Sequence, residues 1–549
     1  MNLPQRFPYL LLALLLVPEL ITAQLDQGTT IDSIDSKYIN WYNCNNKSDK
    51  KAGSSVDMAY QSILTEISPK KKIVVAVIDG GVDIHHEDLK GKIWKNIDEI
   101  PDNGIDDDNN GYIDDIHGWN FIGNSEGENI KFENFEYTRV VVKYAALFDS
   151  ICSEEDVEDS NLANYKLYLK CKKRYNKEYK TYSTRETKLV KYIHTIDSAL
   201  SILKPYTYSD NPTYKQIKYA YVPHHLMYTQ KNLLKNYKRL SRESAVSILE
   251  RAQKFTKYYL NKDLNARAIV GDNNDDFKDT LYGNNIVFGP RAEHGTFVAG
   301  IIAANRDNGI GINGIATHTE IMVLRTVPDG DEDDKDVALS IKYAVDNGAN
   351  VINMSFGKDY SPNKYMVDEA IKYAEEKGVL LVHAAGNDGN DLDRLSNFPN
   401  ATLESGDTIG NWITVGASTI KAKKKYAAFF SNYGQNSVDL FAPGFNIVSL
   451  YPQNKYKTAS GTSFSSPVVA GVAALVWSYY PELTVSELKS VVLSSVDKYE
   501  KKVLIPNVKS PKKEKVPFNV LSKTGGAVNA YQALLLAQQI SESKVQAQK

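Results

Sequence analysis

From residue 72 onward, short apolar runs rich in β-branched residues alternate with longer stretches whose apolar positions recur at helical spacing. The runs 73–78, 320–327, 350–355, 379–385 and 412–417 predict strands, and 294–305, 336–347, 362–377 and 463–480 predict helices. The strand runs are apolar almost throughout, not alternating, as expected when helices cover both faces of a parallel sheet. The expected class is therefore α/β, an open parallel sheet with helices on both faces. In such sheets ligands bind beyond the carboxyl ends of the strands, where strand hands over to helix.

Between residues 124 and 283 the texture changes. This stretch is rich in Tyr and Lys and poor in Gly. Leu189, Tyr192, Ile193, Ile196, Leu200 and Leu203 keep helical spacing, as do Leu234, Tyr237, Ala245, Ile248, Leu249, Ala252, Phe255 and Tyr259. It reads as a mainly helical insertion, its aromatics forming a packed core and not a ligand box. The insertion splits one domain into 56–123 and 284–536. Before it lie a polar extension, 24–55, and a leader, 1–23, in which Arg6 precedes the apolar run 9–17 and Ala23 offers a small residue for cleavage. That leader predicts export, to a secreted or periplasmic location; its apolar run is too short to span a bilayer. A polar tail, 537–549, closes the chain.

At 549 residues the chain exceeds one ordinary core. Hydrophobic residues at 42% and charged residues at 24% are ordinary globular values, and a net charge of -2 gives no reason to expect a nucleic acid or anionic membrane partner. Of the three cysteines, Cys152 and Cys171 are close enough in sequence to bridge, but spacing leaves free thiols equally open.

Three distant segments carry hydrolytic chemistry. VVAVIDGGVD at 74–83 presents Asp79 at a strand end, HGTFVAGIIAA at 294–304 opens a helix with His294, and SGTSFSSPVVAGVAAL at 460–475 opens another with Ser463, set among small residues. A hydroxyl needs an imidazole to take its proton and a carboxylate to hold that imidazole in the right tautomer. A fourth segment, HAAGNDG at 383–389, offers the Asn387 amide as an oxyanion donor. The order Asp, His, Ser with these flanks resembles the subtilisin-like serine proteases, the subtilases. The resemblance implies an exported serine endopeptidase acting on protein or peptide substrates through an acyl-enzyme. Asp79, His294 and Ser463 would be its triad and Asn387 its oxyanion donor. It also implies that Ser355, Phe356 and Gly357 pair with extended peptide, and that Ala384, Ala385 and Gly386 form the opposite wall of an apolar pocket. Two departures stand out: Phe297 replaces a common His, and Gly80 replaces the Ser or Thr that often follows the Asp. Two other activities fit the same residues, a catalytically idle binding protein and a peptide ligase using the same acyl-enzyme.

The run 103–115 spaces oxygen ligands at Asp106, Asp108 and Asn110, then Tyr112 with Asp114 and Asp115, and resembles the opening of a calcium loop, without the Glu of an EF-hand. The chemistry itself requires no cofactor; calcium would stiffen the loop. Asp83, Glu87 and Asp88, just past the first strand, read as solvated loop residues.

Overall fold

The computed structural model describes residues 28–508 and 514–547; the expected leader at 1–23 lies outside them. The described residues contain a sheet-bearing unit, 28–136 with 265–508 and 514–547, and a helical unit, Tyr137–Leu264. The helical unit is shorter than the 124–283 expected. Its flanks stay with the sheet because their charges are used there: Arg267 pairs with Asp272 and Asp336 at 2.5 Å each, and buried Lys358 pairs with Glu136 at 2.7 Å.

The sheet unit is built on β1 (Ile73–Asp79), β2 (Gly118–Asn120), β3 (Thr319–Arg325), β4 (Val351–Met354), β5 (Leu380–Ala384), β6 (Trp412–Ser418) and β7 (Leu440–Pro443). The hairpins β8 (Ile447–Tyr451) with β9 (Lys455–Ala459) and β11 (Lys502–Leu504) with β12 (Lys515–Pro517) stand apart, while β10 (Asp497–Lys498) and β13 (Gly526–Ala527) extend the main sheet. Its order is β10-β13-β7-β6-β5-β4-β1-β3-β2, parallel except for the terminal β10–β13 pair. The expected α/β class is the observed one. Ile78, Met354, His383 and Thr414 are register partners across β1, β4, β5 and β6. Whatever follows these strands therefore emerges along one edge.

The sheet unit's helices are α1 (Val56–Gln61) and, beyond α2 (Glu136–Phe148), α3 (Leu162–Thr207), α4 (Tyr214–Tyr219), α5 (Met227–Arg239) and α6 (Arg242–Lys254) of the helical unit, α7 (Ala292–Ala303), α8 (Asp334–Asp346), α9 (Lys364–Glu376), α10 (Ser466–Tyr479), α11 (Val485–Ser494) and α12 (Ala530–Ala547). One cluster, with α7, α10, α11 and α12, packs on one face, and α8 and α9 pack on the other. Every residue of α10 is buried, which explains why it is apolar all round and lacks a polar face. No helix among the described residues is long and apolar enough to cross a membrane.

Three expectations are corrected. The 24–55 stretch is no loose extension in its described part: Trp41 and Tyr42 are fully buried in the main core, and their polar atoms reach the carbonyls of Asn446 (2.9 Å) and Asn313 (2.8 Å). The polar tail is instead the end of α12, which buries Leu534, Ala537 and Ser541. Asp83 and Asp88 are buried, not solvated: Asp88 accepts from the Ile312 N–H (3.0 Å) and Asn308 (2.8 Å), and Asp83 from the Gln453 N–H (2.8 Å). Loop amides removed from water need acceptors, and these carboxylates supply them. Cys44, Cys152 and Cys171 form no disulfide among the described residues.

Candidate active site

Asp79 ends β1, and His294 lies in the first turn of α7. The His294 Nδ1 sits 2.9 Å from Asp79 Oδ1 and 2.8 Å from Oδ2. This distance requires glycine at residue 295, because a Cβ there would lie 2.1 Å from the Gly81 carbonyl oxygen. The hydroxyl missing at Gly80 is replaced by backbone: the Gly80 N–H donates to Asp79 Oδ1 at 2.7 Å. Asp79 is almost wholly buried, whereas the His294 side chain keeps 23% of its exposure and can meet a substrate.

Ser463 does not open α10. It sits in a separate 3₁₀ turn, Thr462–Phe464, three residues before the helix begins at Ser466, with Pro467 tolerated in the first turn. Contacts on both sides hold this turn. Ser355 donates its hydroxyl to the Ser463 carbonyl at 2.8 Å and lies 2.9 Å from the Ser466 hydroxyl. Phe464 packs on His294 (ring centroids 5.5 Å apart) and on Phe297 (4.3 Å). Phe297 thus carries a contact that imidazole would make less well, joining the serine turn to the histidine helix. The Ser463 hydroxyl makes no hydrogen bond among the described residues, and among them the His294 imidazole is hydrogen-bonded to Asp79 alone. Such bonds commonly tighten only once substrate is in place.

Asn387 follows β5. Its Oδ1 accepts from the Thr462 N–H (2.8 Å) and hydroxyl (3.1 Å), which fixes the amide and leaves Nδ2 without a partner among the described residues, beside the serine turn. Gly386 has φ +99, and a Cβ there would meet Asn432 Nδ2 at 2.4 Å, so the turn into Asn387 requires glycine. Its N–H is bonded by Thr462 Oγ1 at 3.0 Å.

The expected substrate-binding residues divide. The Ser355 side chain is buried and committed to the serine turn, and Ala385 is fully buried among Tyr426, Phe441 and Phe518, so neither side chain is placed to meet a substrate. Phe356, Gly357, Ala384 and Gly386 follow the carboxyl ends of β4 and β5 or end β5. The Phe356 carbonyl lies 2.8 Å from the Nε2 of His383, a fully buried imidazole whose pKa burial pushes down to about 4. It is neutral and holds the segment from beneath. His383, Thr462 and Phe464 lie inside the sequence motifs without a role that sequence alone assigns, while Asn397, which donates to the Ala384 (3.5 Å) and Ala385 (3.3 Å) carbonyls, and Asn432, which donates to the Ala385 carbonyl (2.9 Å), lie outside every motif. Their partners lie on other elements.

Of the loop residues expected to bind calcium, Asp106 and Asp108 come within 4.8 Å of one another and of Glu99, an oxygen cluster of the kind hard cations take. Sequence reading missed Glu99 because it precedes the motif. Asp114 and Asp115 stand outside this cluster. Asp114 accepts the N–H groups of Asn103 (3.1 Å) and Gly104 (2.9 Å), and Asp115 accepts from Asn96, Asn110 and Tyr343. Asn110 donates its amide to Asp108 and Asp115, and the Tyr112 ring packs on Trp119 and Tyr343.

The chain is similar to known proteins. The Subtilase family profile matches residues 70–513. A thermophilic serine proteinase of Bacillus sp. (strain AK1) is 40% identical over 220 residues, 40% of this chain and 49% of the relative. Thermitase of Thermoactinomyces vulgaris is 38% identical over 206 residues, 37% of this chain and 67% of that protein. A solved structure described under subtilase cytotoxin SubAB assembly overlaps 49% of this chain and 84% of its own at 27% identity, with a TM-score of 0.40. The chain spans about half the length of the first curated relatives it matches. With the family profile covering most of the chain, the protein belongs to the subtilase family.

Proposed function

We propose that this subtilase is an exported serine endopeptidase that hydrolyses protein and peptide substrates through an acyl-enzyme. The observation that carries the reading is the Asp79–His294 pair at 2.8 Å, held against the Ser463 turn by Phe464, with the Asn387 amide open beside it. Ser463 Oγ attacks the scissile carbonyl carbon and its proton passes to His294 Nε2, while Asp79 accepts from Nδ1–H and stabilises the imidazolium. The oxyanion takes bonds from Asn387 Nδ2 and the Ser463 N–H. Collapse expels the amine with the proton from His294. Water then repeats the sequence and frees the acid. No cofactor is needed for these steps. Export rests on the apolar run 9–17 after Arg6.

Ser463→Ala is expected to abolish casein hydrolysis, a loss on the order of a million-fold, the scale found on removing the triad serine of subtilisin, a member of this same family. Full activity in that variant would remove the assignment. A fluorophosphonate probe that fails to label Ser463 would favour the idle binding protein, and product masses joined to an added amine would favour the ligase.

A further inference from the structure

The helical unit carries a charge that the whole-chain balance conceals. Residues 137–264 hold 24 Lys and Arg against 13 Asp and Glu, whereas the full chain holds 65 against 67. Within it, residues 211–242 contain seven Lys and Arg, two His and five Tyr, and no acidic residue. Net charge near zero therefore says nothing about this surface, because the compensating acids lie elsewhere in the chain.

Contacts inside the unit bring this stretch to one end. Tyr192, on α3, donates to the carbonyls of Asn236 (3.1 Å) and Leu240 (2.7 Å) at the far end of α5, while Leu233 packs with Ile196, Leu200 and Leu203. So α5 runs back along α3, with its first turn beside the last turn of α3. Gln230 fastens that first turn to α4 by donating to the carbonyls of Ile217 (2.7 Å) and Ala220 (2.8 Å). The end of α4, the loop 220–226 and the start of α5 form the tip.

At the tip, Tyr219 is 73% exposed, Tyr221 93%, Met227 53% and Tyr228 65%. One turn behind them on each helix stand exposed lysines, Lys215 four residues before Tyr219 and Lys231 four residues after Met227, with Lys218 over the Tyr219 ring at 5.1 Å. None of the three makes an ion pair among the described residues. Large apolar groups concentrated on a surface mark an interaction site. Cations ordered one turn behind an apolar tip match the layering of a bilayer surface. There, tyrosine rings settle at headgroup level, lysine stems reach back to phosphates, and an anionic leaflet attracts each cation. Single-stranded nucleic acid also stacks on tyrosines, but Met227 offers a base no ring face.

We propose that this tip docks on an anionic phospholipid bilayer, with Tyr219, Tyr221, Met227 and Tyr228 at the headgroup boundary and Lys215, Lys218 and Lys231 against lipid phosphates. The proposal is independent of the catalytic reading. It is tested with the full chain carrying Ser463→Ala, sedimented with vesicles of equal parts phosphatidylglycerol and phosphatidylcholine. Binding is expected to these vesicles and not to pure phosphatidylcholine. Lys215→Gln, Lys218→Gln and Lys231→Gln together should weaken it about a hundredfold, from roughly fivefold per cation. Tyr219→Ser, Tyr221→Ser and Met227→Ser together should remove the part that survives high salt. All six positions are exposed, and an unchanged far-UV circular dichroism spectrum verifies folding. Three results would overturn the proposal: no sedimentation with the anionic vesicles, indifference to the lysine substitutions, or tighter binding of a labelled single-stranded oligothymidylate than of the vesicles.

Discussion

The two units of this chain solve the problem of holding helices in place by different chemistry. In the sheet unit, α10 buries all of its residues against strands that are themselves buried, and most of those residues are Val, Ala or Leu. In the helical unit, α3 buries only nine of its 46 residues, a single strip, and tyrosines complete it. Tyr137 donates to Glu178 at 2.6 Å, Tyr175 to the Leu260 carbonyl at 3.1 Å, and Tyr182 stacks on Phe255 with centroids 3.7 Å apart. A tyrosine buries its ring and still bonds at the rim, so it suits a slender helical unit with little interior. The comparison teaches that rigidity for chemistry is concentrated in the sheet unit, and that the helical unit has surface to give to other uses.

The largest effect expected of that division is in catalysis. Asn387→Ala should lower kcat by on the order of a hundred- to a thousand-fold, the range recorded for the oxyanion amide of subtilisin, a relative within this family. KM should change little, since the amide acts on charge that develops only in the transition state. A rise in KM with kcat unchanged would move Asn387 from the oxyanion to substrate binding.

Much of this site is legible in the sequence, because Asp79, His294, Ser463 and Asn387 each sit in a local motif whose small residues are required on the spot. Gly295 and Gly386 are examples, excluded from any other identity by contacts under 2.5 Å. The supporting residues are not legible in this way. Phe464 works through Phe297 and His294, and His383 through Phe356. Neither residue type nor spacing announces a partner that the fold brings from another element. The same limit applies to the sheet: β1, β3, β4, β5 and β6 carry apolar runs long enough to read, whereas β10 and β13 are two residues each and exist only by pairing. Trp41 and Tyr42 are hidden in what reads as a polar extension, because a three-residue turn has no periodicity to detect.

A core substitution in each unit sharpens the comparison next. Leu203→Ala, in the thin cluster of the helical unit, and Ile352→Ala, at the centre of the sheet, each remove a fully buried aliphatic side chain and should cost about 3 kcal/mol. The consequences should differ. Leu203→Ala is expected to open residues 137–264 to limited proteolysis while fluorophosphonate labelling of Ser463 persists. Ile352→Ala should lose labelling at the same denaturant concentration at which it loses secondary structure. If Leu203→Ala abolished labelling as well, the units would be one cooperative body and the division between them would fall.

The smallest effect is a slope. His383 has its pKa lowered to about 4 by burial, while in the unfolded chain it keeps the ordinary 6.5. Above pH 6.5 both states are neutral at this ring and stability is unaffected. As pH falls from 6.5 toward 4 the unfolded chain takes up a proton that the folded protein refuses, so stability is lost, at up to about 1.4 kcal/mol per pH unit. The urea midpoint should therefore decline between pH 6.5 and 5, above the range where ordinary carboxylates titrate. His383→Gln keeps an N–H for the Phe356 carbonyl and removes the titration, so its midpoint should be flatter over that interval. Equal slopes in the two proteins would mean that the acid sensitivity of the sheet unit arises elsewhere. The uncharged ring would then matter for its bond to Phe356 alone.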